Sequence, residues 1–262
     1  MTAVQPPAAW MRPLLPVGEL FGFAGEVFRQ MFRRPFQWRE FFDQAWFVTR
    51  VSLLPVMAIT IPFGAVLAMQ IGVLFNQLGA GSFTGAAAVL GIVQQSAPMA
   101  TVIIVAGAAG TAVAADLGSR KIREELDAME VLGISVIQRL VVPRVLAMGV
   151  IATLLNVAAT TVGVAGGYGF NVFVQGGSPG AYLHSFTALA SLPDLWVGEI
   201  KAFIFGLCAG VVAGYQGTHA KGGPQGVGDS VNLSVVVSFV LLFVVNTILT
   251  AVYYQIVPPK GL

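Results

Sequence analysis

Apolar positions fill this chain in long blocks, and polar residues gather between them. Residues 51–115 contain no Asp, Glu, Lys or Arg over 65 positions, and residues 145–193 contain none either. A spanning helix needs about 20 consecutive apolar residues, so the first run alone has room for two. The pattern predicts five membrane-spanning helices, at about 46–75, 85–115, 140–170, 195–216 and 231–257. The sequence NQLGAGS at 76–82 turns the chain between the first two. Several blocks exceed the required length, which implies tilt or extension beyond the bilayer. Pro55, Pro62 and Pro98 predict kinks in the first two spans.

The N-terminal part follows another pattern. Residues 1–16 are rich in Pro and Ala and predict a flexible segment. From Glu19 the chain turns amphipathic: Leu20, Ala24, Val27, Phe28 and Met31 recur at helical spacing, while Glu26, Arg29, Gln30 and Arg33 point elsewhere. Pro35 ends that helix. Phe36, Trp38, Phe41, Phe42, Trp46 and Phe47 then interleave with Arg39, Glu40 and Asp43. Aromatic rings mixed with basic residues describe an element lying in the membrane interface over residues 17–45; the alternative is a soluble arm packed on a partner.

Composition agrees with the pattern. Hydrophobic residues make up 56% and charged residues 10% of the chain, against about 25% charged in a soluble domain. Mean hydropathy is +0.81. The expected fold class is an all-α integral membrane protein. Cys208 is the only cysteine, so no internal disulfide forms. The first 50 residues mix charges throughout and lack the apolar core of a secretory signal; the pair Arg33-Arg34 is not followed by one either. With the N-terminus inside, twelve basic residues lie on the cytoplasmic side, and only Lys201 and Lys260 lie near the outer side. The excess of basic residues inside sets the expected orientation, N-terminus in and C-terminus out.

The charges have one focus. Residues 116–144 hold ten of the 26, five of each sign, and residues 120–134 read RKIREELDAMEVLGI. On a helix over 119–132, Ile122, Leu126 and Met129 share one face, and Arg120, Arg123, Glu124, Asp127 and Glu130 the other. Ser119 is placed to cap its start and Gly133 to end it. The pairs Arg120/Glu124, Lys121/Glu125 and Arg123/Asp127 put the cation first, the weaker orientation, and put bases where the helix dipole disfavours them. A helix tuned only for its own stability would reverse them. That order favours a docking element for another protein over a solvated connector.

The segment DLGSRKIREELDAMEVLGI (116–134), with QRLVVPR (138–144), resembles the signature of MlaE/YrbE-type permeases. FRRPFQWREF (32–41) and KGGPQGVGDSVN (221–232) are similar to segments of the YrbE proteins of actinobacterial Mce (mammalian cell entry) systems. The likeness runs from about Phe32 to Val257. It implies five spanning helices, an interfacial N-terminal helix and a single permease domain at 46–257. It also implies a membrane subunit of an ABC transporter that moves lipids of the phospholipid, fatty acid or sterol class across the cell envelope, in the import direction. Its partners would be a cytoplasmic ATPase, a second permease subunit in a homo- or heterodimer, and MCE-domain proteins on the outer side. Glu124, Glu125, Asp127, Ala128 and Met129 match the family motif and, with Arg123, would couple to the ATPase. Ser135-Val136 departs from the Asp-Pro pair of many relatives, which touches the exit geometry of the helix.

Other patterns carry less. GGSPG (176–180), near His184, matches G-x-S-x-G, but the residue after Ser178 is Pro179, with no N–H for an oxyanion hole. The Gly-rich segment 222–230 lacks the G-K-[ST] of a phosphate loop, and no Walker sequence occurs, so the chain is expected to be non-catalytic, with ATP held by a partner. His184 and His219 make no metal cluster; no cofactor, metal or nucleic acid is expected. Gly206, Gly210 and Gly214, and Gly163 with Gly167, mark close helix packing within or between subunits. Glu199 and Lys201, near the outer end of the fourth span, are either a cavity or charge-pair site or snorkelling interfacial charges. An ion-driven secondary transporter needs ionisable groups at mid-membrane, and the other four spans have none. A membrane scaffold without a transport path is the remaining alternative; it leaves the docking motif unexplained.

Overall fold

The computed structural model describes residues 15–79, 84–189 and 192–256. The flexible segment expected at 1–16 lies outside these residues apart from its last two, and so do residues 80–82 of the turn expected at 76–82. Among the described residues every regular element is helical. Helix α1 (Leu15–Met31) precedes α2 (Trp38–Gln77). The second span is built from α3 (Thr84–Gly91), α4 (Ala97–Ile104) and α5 (Thr111–Ile122), joined by π-helical turns at Ile92–Ser96 and Val105–Gly110. Short α6 (Glu125–Val131) follows, then a π turn (Ile137–Val141) leading into α7 (Val142–Phe173), α8 (Pro179–Leu189), α9 (Leu192–Thr218) and α10 (Gly223–Ile256). Five helical stretches are long and apolar enough to cross a membrane: Trp38–Phe75, Gly85–Ile122, Ile137–Phe173, Leu192–Thr218 and Gly223–Ile256. Consecutive spans run antiparallel, so α6 marks one end of the bundle, the charged end, and α8 the other, the distal end.

Three local features differ from the sequence reading. The aromatic segment from Trp38 onward is the start of α2 itself, continuous with the first span. In α1, Phe28 faces outward with Phe21, while Val27 and Gln30 are the buried positions. Finally, α2 runs unbroken through Pro55 and Pro62, whereas Pro98 and Pro143 each follow a π turn by two residues. A proline gives no N–H to the carbonyl four residues back, and a wider turn is one way a helix absorbs that loss.

Small residues draw the spans together. Beside α2, an added Cβ on Gly163 would sit 2.8 Å from Thr60 Cγ2, and one on Gly166 2.8 Å from Ile61 O. Gly206, Gly210 and Gly214 form a stripe on α9 that meets Met148 and Val145 of α7 and then Val141 of the π turn before it. The glycine spacing noted in the sequence therefore packs helices within one subunit. In lipid there is little hydrophobic drive between helices, so such close contact supplies the attraction.

At Gly206 a Cβ would lie 2.6 Å from Met148 O and 2.8 Å from Gly149 Cα, both rigid backbone. Gly206→Val is expected to destabilise the protein by about 1–3 kcal/mol. At Gly25 of α1 nothing lies within 4 Å, and Gly25→Ala should be neutral or raise stability by up to about 1 kcal/mol. Thermal unfolding of both variants in detergent checks this; equal melting temperatures would contradict the packing.

Candidate functional site

The charged segment folds as two helices, not one. Helix α5 carries the second span out to Ile122, and Glu124 turns the chain with a left-handed backbone (φ 59°). A non-glycine residue pays about 1–2 kcal/mol to sit there. Ser119 caps nothing; its hydroxyl donates to Asp116 O at 2.9 Å. Gly133 (φ 74°) does end α6, with Gly133 N donating to Glu130 O and Ile134 N to Met129 O, both at 2.9 Å.

This break explains the charge order. Arg120 and Lys121 occupy the last turn of α5, and Glu125 and Asp127 the first turn of α6. Each group now sits where its own helix dipole favours it. The expected i,i+4 pairs do not form. Arg120 pairs with Asp116 at 3.1 Å, Arg123 with Glu125 at 3.0 Å, and Lys121 with Asp127. Charge order is therefore no argument for a partner, and that inference from the sequence falls. Exposure is the better argument. Arg123, Glu124, Glu125, Asp127 and Ala128 are exposed, Leu126 is buried, and Met129 packs half-buried on the core. Val131 and Leu132, which the sequence reading passed over, stand 87% and 75% exposed beside the acids.

Behind this surface lies a cluster that the sequence did not reveal. Arg144, only 2% exposed, reaches Glu40 of α2 at 3.0 Å and Asp116 of α5 at 2.8 Å, and donates to Leu140 O at 2.8 Å. A cleft of about 300 Å³ opens onto it, lined also by Gln44, Phe47 and Arg120. One guanidinium thus joins the first three spans next to α6. Helix α1 is tied in as well. Ser135 donates to Gln30 Oε1 at 2.7 Å and accepts from Gln138 N at 3.3 Å, so Ser135 shapes the exit toward α7. Gln30 and Arg29 donate to Glu26 and hold its carboxyl below the usual range. Phe23 packs edge-on to Tyr215 and His219 of α9, and Tyr215 donates to Glu19 at 2.9 Å.

The distal pair, Glu199 and Lys201, is not brought together. Lys201 is 1% exposed, which excludes snorkelling, and among the described residues it forms no ion pair. Its ammonium donates to Gln94 O at 3.1 Å and to Thr250 Oγ1 at 2.8 Å. The first acceptor has a clear origin: Gln94 is four residues before Pro98, so its carbonyl lacks the ordinary helical donor. Around this contact, Gln94 Nε2 donates to Asp194 at 2.7 Å, Tyr254 to Gln94 Oε1 at 3.1 Å, and Tyr253 to Asp194. Gln95 donates to Thr250 and Asn246 to Gln95. Spans two, four and five are thereby cross-linked by polar groups inside the bundle. Glu199 faces α7, where Asn156 Nδ2 donates to it at 2.9 Å. At the same end α8 begins at Pro179, so the residue after Ser178 indeed has no N–H to offer.

Comparison with known proteins places these features in a family. Residues 41–252 match the family described as Permease MlaE. The chain is 30% identical over 236 residues to a probable ABC transporter permease protein of Synechocystis, covering 90% of this chain and 89% of that one. It is 32% identical over 204 residues to a probable ABC transporter permease protein of Rickettsia typhi, covering 78% and 79% of the two chains. It is also similar, at 30% over 233 residues, to the chloroplastic protein Trigalactosyldiacylglycerol 1 of Arabidopsis thaliana, covering 88% of this chain and 66% of that protein. The matched region takes in the α5–α6 elbow and all but the outermost ends of the five spans, and the chain belongs to the MlaE family of permeases.

Proposed function

We propose that this permease is the membrane subunit of an ABC transporter that carries lipids, and that a cytoplasmic ATPase docks on α6. The observation that carries the reading is the surface at the elbow: exposed Glu124, Glu125 and Asp127 beside bare Val131 and Leu132, on a helix anchored by buried Leu126. An apolar centre ringed by charge is what a protein partner buries, the charges giving specificity. Family membership and the printed names of the relatives support both the ATPase and, through the galactolipid-named plant protein, the lipid class. Arg123, Ala128 and Met129 complete the coupling surface.

Force on α6 would pass along α5 into the second span, whose two π turns are its softest points. Arg144 would spread it to the first and third spans. The apolar outer faces of α2 and α10 suit lipid and a second permease subunit, of the same or a related chain. Delivery from MCE-domain proteins outside, import as the direction, and a multi-pass location in the inner (plasma) membrane complete the proposal. The basic-residue count supports a cytoplasmic N-terminus and charged end, with the C-terminus outside.

Glu124→Lys is expected to fold and insert normally, since an exposed substitution shifts stability by about 0.5 kcal/mol or less. Its binding to the ATPase should weaken by roughly 2–5 kcal/mol, with lipid transport lost in step. Leu132→Asp should do the same through the apolar part of the surface. Co-purification of the ATPase and transport into vesicles measure this; wild-type levels of both in either variant would reduce α6 to a connector.

In a Cys208→Ser background, single cysteines at Glu130 and Ser178 should react with an impermeant reagent from opposite faces of the membrane, Glu130→Cys from the cytoplasmic face. Labelling of both from one face would overturn the five-span orientation.

A further inference from the structure

Where α9 comes nearest the π turn of the second span, a Cβ on Gly198 would lie 2.8 Å from Val93 O and 3.8 Å from both Asn156 Nδ2 and Pro98 Cγ. Spans two, three and four meet there. Asn156 of α7 is 1% exposed. Its Nδ2 donates to Glu199 Oε1 at 2.9 Å, yet Asn156 Oδ1 and Glu199 Oε2 are both buried and have no partner among the described residues. An ionised carboxylate only accepts hydrogen bonds, and so does an amide oxygen. These two orphan atoms cannot satisfy one another as they stand. Exchanging the oxygen and nitrogen of Asn156 leaves the same shortfall, because one amide oxygen must still face the carboxyl group.

One proton removes it. We infer that Glu199 and Asn156 form a proton-binding site, in which Glu199 is a neutral carboxylic acid. Its Oε2–H donates to Asn156 Oδ1 while Asn156 Nδ2 donates to Glu199 Oε1. The result is a closed ring of two hydrogen bonds with no polar atom left over. Among the described residues no cation pairs with Glu199 to hold the ionised form. Residues 145–173 of α7 and residues 51–115, which include the π turn and α4, carry no Asp, Glu, Lys or Arg. Lys201, two residues along α9, is turned onto Gln94 O and Thr250. Asp194, on the same helix, is engaged by Gln94 and by Tyr253 of α10. Tyr254 is engaged by Gln94.

The site ties a proton to a helix contact. While α7 and α9 stay packed, Oε2 of the half-buried Glu199 is shielded and paired; if they part, water reaches Oε2 and takes the proton as hydronium, leaving the carboxylate hydrated. Separation of these two spans is therefore linked to proton release, and acid favours the packed state. This holds whatever the transported substrate is, so it stands apart from the lipid reading.

Infrared difference spectroscopy on the full chain in lipid nanodiscs tests it. At neutral pH the wild type should show the carbonyl stretch of a protonated carboxyl that is missing from Glu199→Gln. The Gln variant keeps a donor for Asn156 Oδ1, so it should fold. In Asn156→Leu the band should persist but move, because both hydrogen bonds are gone. Identical carbonyl regions in wild type and Glu199→Gln at neutral pH would overturn the proton. A band that Asn156→Leu leaves unmoved would overturn the pairing, and that result stands even if the Gln variant proves too unstable to measure.

Discussion

A buried backbone carbonyl in a membrane protein has no water to turn to, and the interior of this bundle is arranged around that constraint. Pro98 removes the helical donor for Gln94 O. The chain meets the loss with a π turn and a lysine from another span, whose ammonium donates at 3.1 Å. Lys201 then recruits Thr250, and Gln94's side chain recruits Asp194 and Tyr254. A single missing N–H thus fastens spans two, four and five at one level. Pro143 sits in the same relation to the π turn at Ile137–Val141, and the residue after it, Arg144, ties spans one, two and three. The two largest fully buried side chains among the described residues, Arg144 and Lys201, are these two fasteners.

The spans touch through glycine, and at Gly64, Gly166 and Gly206 the nearest neighbour is a backbone carbonyl oxygen. Such interfaces slide poorly, because even one methyl group would collide with a carbonyl. The second span differs, its hydrogen-bond ladder being widened twice, and the elbow at Glu124 holds a left-handed backbone on a residue with a side chain. This strained backbone lies beside the proposed docking face.

Much of this architecture was legible in the sequence. Long apolar blocks marked the five spans, and glycine spacing marked the helix faces that pack. Gly133 marked the end of α6. Other features were not legible, for definite reasons. The elbow at Glu124 leaves no trace in periodicity, since Ile122, Leu126 and Met129 keep helical spacing across it. Without the elbow, the charges of two helices read as the misplaced charges of one. Glu199 and Lys201 are two residues apart on α9 and so point to different neighbours, which a reading of nearby opposite charges as a pair overlooks. Arg144 and Glu40 are far apart in the chain, and only tertiary packing brings them together. Pro98 and Pro143 were the available signals: each orphans a carbonyl, and each lies beside a buried cation.

The central claim is that α6 is the contact through which an ATPase acts on the spans. A spin label at Leu132, on the exposed tip of the elbow, reports on it directly, with a label at Ser178 at the distal end as reference. The account predicts that adding the cytoplasmic ATPase to the permease immobilises the Leu132 label and leaves the Ser178 label mobile. A Leu132 label that stays as mobile in the assembled complex as in the free permease would contradict it.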